Sequence, residues 1–86
     1  MRLVIDGKLM VTRKAAHEEL KRALGFPGWY GRNLDALYDL ASTMSGEAVL
    51  IDSRVPVREL GEYGEKIIDT LKDAAGDNPN FTFRAE

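Results

Sequence analysis

Among its 86 residues the chain has no cysteine at all. That excludes disulfide staples, thiolate catalysis and zinc–cysteine sites. It also fits the cytoplasm, where disulfides are rare, and cytoplasmic residence is the expectation. Histidine occurs once, as His17, so a nucleophilic triad would have to be assembled around that single ring. No apolar run approaches the roughly 18 residues of a membrane span. The N-terminus lacks the charged, apolar and small-residue segments of a signal peptide. No repeat or low-complexity tract is visible. Gly25, Gly28 and Gly31 lie close together, but with neither the Walker spacing nor the dinucleotide fingerprint.

Basic residues are missing from one stretch. Between Arg32 and Arg54 there is none, while Asp35, Asp39, Glu47 and Asp52 are acidic. The whole chain carries 12 basic and 14 acidic side chains, net −2. A nucleic-acid binder needs the opposite sign on its working face, so no direct contact with nucleic acid is expected. An acidic face suits a basic partner. What is present is ordinary for a soluble globular protein: 44% hydrophobic and 30% charged residues. The length predicts one domain over residues 1–86, burying roughly 60–65% of the unfolded chain's surface.

Leu3-Val4-Ile5, closed by Asp6-Gly7, predicts a strand at about 2–5 and a turn, with residues 8–11 as a short hairpin arm. Thr12 is an N-cap for a helix over about 13–24, whose apolar stripe is Ala16, Leu20, Ala23 and Leu24. Gly25 sits at the C-cap, Phe26 folds back on the last turn and Pro27 stops the helix. Gly28-Trp29-Tyr30-Gly31 is a loop. Asn33 caps a second helix, about 34–44. Leu34, Leu37, Ala41 and Met44 form its apolar side, and Asp35, Tyr38, Asp39 and Ser42 the other. Ala48-Val49-Leu50-Ile51 reads as a strand buried on both faces. Pro56 starts a short helix or turn, a helix over about 62–75 ends at Gly76, residues 77–80 turn, and Phe81-Thr82-Phe83 is a last strand. Strands separated by helices imply crossovers. The fold class is α/β: a small three-stranded parallel sheet packed against three to four helices.

His17, beside Glu18 and Glu19, reads as a plain surface histidine. Asp35 and Asp39 lie one turn apart on one helix face. A glycosidase pair would face each other across a cleft, which two acids on one exposed helix do not. A hard cation wants more oxygen ligands than these two supply, so no metal and no cofactor is expected. Asp35 suits the positive end of the helix dipole, and Asp39 can simply be solvated. Yet like charges four apart repel by a few tenths of a kcal/mol, which makes stability a poor reason for the pair. The lone Trp29 reads either as a core residue or as half of an aromatic pair with one ring in and one out. Gly28 and Gly31 around that pair would let a partner approach the backbone. An aromatic loop beside an acidic helix has the make-up of an interaction hot spot.

The run Pro27-Gly28-Trp29-Tyr30-Gly31-Arg32-Asn33-Leu34-Asp35-Ala36-Leu37-Tyr38-Asp39 resembles the signature of the barstar family, intracellular inhibitors of the ribonuclease barnase. Weaker similarity covers the opening strand, the first helix, the strand at 48–52 and the last helix. The resemblance implies a binding protein and not an enzyme. It implies a 1:1 complex of a monomer with a basic, extracellular or toxin ribonuclease of the barnase-like class. The second helix and the loop before it would plug the ribonuclease's active site, with acidic side chains in place of RNA phosphates. By position, Asp39 would be the central phosphate mimic, facing the enzyme's arginines and catalytic histidine. Asp35 would add a second carboxylate. Trp29 stands where the family places a tyrosine that stacks over that histidine, and Tyr38 where it has a tryptophan. Gly31 and Asn33 would contribute contacts at the helix start, with Leu34 and Ser42 along the helix and Asp73 as a further acidic contact. The chain departs from the family pattern at Met44, in place of a rim aromatic, and at Ala48, in place of a proline. The alternative is the same scaffold binding another basic protein, such as an unrelated toxin nuclease. An enzyme using the two carboxylates is the third reading.

Overall fold

The apolar runs bounded by turn residues form strands in the computed structural model, which describes residues 1–86. Strands β1 (Arg2–Asp6), β2 (Gly46–Ile51) and β3 (Phe81–Ala85) make one parallel sheet in the order β1-β2-β3. Leu3 pairs with Ala48 and Ala48 with Phe83; Ile5 pairs with Leu50 and Leu50 with Ala85. Helices α1 (Arg13–Leu24) and α2 (Leu34–Ala41) occupy the first crossover, α3 (Arg54–Leu60) and α4 (Glu62–Asp77) the second. The expected three-stranded parallel α/β architecture is what forms, with four helices.

Both crossovers step the same way across the sheet. Right-handed connections then place every helix on one side. Ile5, Ala48, Leu50 and Phe81 meet Leu20, Leu37, Ile67 and Leu71 there in a single core. The other face carries Arg2, Val4, Glu47, Thr82 and Arg84, all exposed. The expected burial of β2 on both faces holds at its centre, where Ala48, Val49 and Leu50 are all buried, although the helices lie on one side only. Val49 is buried, but it stands outside the core cluster.

Local chemistry explains most element boundaries. Thr12 Oγ1 accepts from the Ala15 amide at 3.0 Å, and Gly25 ends α1 at φ 69°. The Asp6 carboxylate accepts from the Lys8 amide at 3.0 Å and starts a single 3-10 turn, Gly7–Leu9, where a hairpin arm is expected. α2 stops at Ala41, short of residue 44, and the Ser42 hydroxyl bonds the Asp39 carbonyl at 3.0 Å. α3 takes in Pro56 within its first turn, where a missing amide costs no helical hydrogen bond. α4 runs through Gly76 to Asp77, and β3 reaches Ala85. α3 and α4 cross closely: a side chain at Gly64 would collide with the Pro56 carbonyl.

Candidate functional site

Asn33 sets the direction of α2. Its Oδ1 accepts from the Ala36 amide at 2.7 Å, and its Nδ2 donates to the Gly31 carbonyl at 3.3 Å. Gly31 is closed in by Asn33 and by the Ala36 methyl. Its missing side chain thus serves the chain's own turn, whereas Gly28 faces open space as expected of a loop that a partner could approach. The left-handed turn residue is Arg32, at φ 54°.

The two loop aromatics part company. Trp29 is 76% exposed, while Tyr30 is 1% exposed and packs on Phe26. One ring in and one out is the expected arrangement, and Trp29 is not a core residue. Behind Tyr30 lies His17. It is no surface histidine: at 1% exposure, its Nδ1 meets the Tyr30 hydroxyl and its Nε2 the Tyr63 hydroxyl, both at 2.7 Å. The sequence pattern hid this because His17 sits next to Ala16 at the edge of the α1 stripe, and its partners lie 13 and 46 residues away. Burial first, and the nearby Arg32 charge second, hold the imidazole below its ordinary pKa. A neutral ring has one donor and one acceptor nitrogen, so one tyrosine donates to it and the other accepts from it.

Asp35 and Asp39 project from the exposed side of α2. Neither carboxylate has an ion-pair or hydrogen-bond partner within the chain. Tyr38, between them in sequence, is half-buried against the core, and its hydroxyl donates to the Asp77 carboxylate at the end of α4. That hydrogen bond, with burial and the Asp77, Asp73 and Asp39 charges, raises the phenol's pKa. The structure thus gathers Asp39, Asp73 and Asp77 around one phenol. Asp77 is a member of this cluster that pattern reading assigns only to a turn; its i+4 spacing from Asp73 is the signal that could have found it.

Asn78 is the second residue whose part is not apparent in the sequence. Buried beneath the end of α2, it donates through Nδ2 to the Ala41 carbonyl at 3.1 Å and the Met44 carbonyl at 2.7 Å. It thereby ties α4 to the end of α2 and keeps the acidic residues of the two helices side by side. The remaining expected residues are divided. Leu34 and Met44 are half-buried against the core, and the Ser42 hydroxyl is engaged with backbone. Trp29, Asn33, Asp35, Asp39 and Asp73 present exposed surface. No cluster of residues suited to holding a metal ion is formed.

The family model described as Barstar (barnase inhibitor) matches residues 1–86. The chain belongs to the barstar family. It is also 32% identical over 76 residues to a Bacillus subtilis (strain 168) protein named "Putative ribonuclease inhibitor YrdF", a match covering 85% of this chain and 84% of that protein. Membership of this family points to an inhibitor and not an enzyme. No helix of this barstar-family chain is long and apolar enough to cross a membrane.

Proposed function

We propose that the chain inhibits a small, basic microbial ribonuclease of the barnase-like class by seating α2 and the Trp29 loop in its active site. The observation that carries this reading is the unpaired Asp35–Asp39 pair, held exposed on α2, the helix that follows the loop exposing Trp29. A carboxylate with no partner in its own chain is free to accept bidentate hydrogen bonds from arginines that otherwise hold RNA phosphate. Asp39 occupies the central position, Asp35 the second, and Asp73 the margin from α4. Trp29 covers the mouth, and Gly31, Asn33, Leu34, Tyr38, Ser42 and Met44 shape and support the surface between. The single unit of residues 1–86 acts as a monomer in a 1:1 complex, within the cytoplasm, guarding the cell against its own secreted ribonuclease or a competitor's toxin.

The test is a titration of the protein into a barnase-like ribonuclease, following RNA cleavage with and without a mononucleotide. Activity should fall linearly to zero at one equivalent, and the nucleotide should slow complex formation. Inhibition indifferent to the nucleotide would place the contact away from the active site. No inhibition at micromolar excess would turn the reading to another basic partner.

A further inference from the structure

A groove of about 490 Å³ opens beside Asp35, between α1, α2 and α4. Asn33, Leu34 and Asp35 form one wall, continuous with the acidic face; Arg13, Arg32 and Tyr63 form the rest. The sign of charge reverses within this short distance. Arg32 is already engaged: its Nε donates to Glu18 at 2.6 Å and its Nη1 to the Tyr30 carbonyl at 3.0 Å. Arg13 is different. Its guanidinium lies 4.1 Å over the Tyr63 ring and has no carboxylate partner in the chain. Stacking orients it and limits its loss of side-chain freedom on binding.

The groove is also fastened to the aromatic loop. The Tyr63 hydroxyl bonds His17, and His17 bonds the Tyr30 hydroxyl next to Trp29. Asp35 and Arg13 line the same groove, so a protein seated over Asp35 lies beside Arg13 as well. A uniformly basic partner surface would meet repulsion there, since like charges brought together at an interface are strongly unfavourable.

We infer that Arg13 receives a carboxylate of the bound ribonuclease, from an acidic side chain at the rim of its basic site. This rests on the inhibitory reading above and extends the contact surface past α2 to α1 and α4. The alternation of sign fixes which way round the partner sits and selects among ribonucleases that share a basic centre but differ at its edge.

The test uses a barnase-like ribonuclease inhibited by the unaltered protein. Arg13→Glu should weaken inhibition about tenfold or more. Arg13→Gln, which removes the charge without reversing it, should show a smaller loss. Glutamate in the first turn of a helix is favourable, so the reversed variant should still fold, which a melting curve checks. Replacing one rim carboxylate of the ribonuclease by lysine should restore binding of Arg13→Glu. Wild-type inhibition by Arg13→Glu, alongside failure of Asp39→Ala, would put the groove outside the interface and leave the α2 reading standing. So would the absence of any rim carboxylate coupled to Arg13. If the unaltered protein inhibits no ribonuclease, both readings fall together.

Discussion

At the scale of single residues, the surface and the interior are chemically separate. Trp29 is largely exposed, so Trp29→Ala should leave the melting temperature within a few degrees of the parent while weakening the complex markedly. A fall in stability comparable to the loss of a core ring would contradict that placement. His17 behaves in the opposite way. Its pKa is lowered by burial and by Arg32, so folding favours the neutral ring. The stabilisation is fully present above the ordinary value near 6.5 and is lost as pH falls below it towards the depressed value. Equilibrium unfolding in urea should therefore show stability declining as pH falls below about 6.5, a limb that begins above the range where ordinary carboxylates titrate. His17→Gln should flatten that limb. An unchanged slope would mean that another group is responsible. Asp35, Asp39 and Trp29 are legible in the sequence because exposure needs only a local pattern. The His17–Tyr30–Tyr63 chain is not, because it joins three distant segments that no spacing rule connects.

At the scale of elements, α2 is short and depends on its two ends. Asn33 supplies the N-cap, and Asn33→Ala should cost about 1 kcal/mol, or about 4–8 °C in a chain of this size. Asn78 secures the other end from α4. Removing it strands two carbonyls near the core, and Asn78→Ala should cost about 1–3 kcal/mol. Thermal melts of the two variants check both figures; an Asn78 variant as stable as the parent would show that water replaces the amide. Helix starts were readable because Thr12 and Asn33 are capping residues followed by apolar periodicity. The end of α2 was not, because Ser42 and Thr43 turn back on its last carbonyls and leave Met44 outside the helix. Gly76 misleads for a similar reason: glycine permits a stop without requiring one, and α4 continues to Asp77.

At the scale of the whole molecule, the order of elements already implied a parallel sheet, because strands separated by helices need crossovers. Which faces are covered was not legible. An apolar run such as Ala48–Ile51 looks the same whether one or two helical layers meet it, and only the common direction of both crossovers leaves the outer face open. The acidic face is also a property of the whole molecule. α2 contributes Asp35 and Asp39, α4 contributes Asp73 and Asp77, and packing brings the two helices together. Opposed fields speed encounter and are screened by salt, so the association rate with a basic ribonuclease should fall steeply from low to physiological ionic strength. A rate flat with salt would argue against steering. In the proposed mechanism α2 stands in for RNA phosphate through Asp39. Its most direct test is the inhibition constant of Asp39→Asn against that of the parent. The substitution removes the charge while keeping the shape. The variant should fold and inhibit at least thirtyfold more weakly, corresponding to roughly 2 kcal/mol or more, a scale for which the barnase–barstar complex is itself a reference case. Inhibition equal to that of the parent would show that the carboxylate of Asp39 is not what holds the ribonuclease.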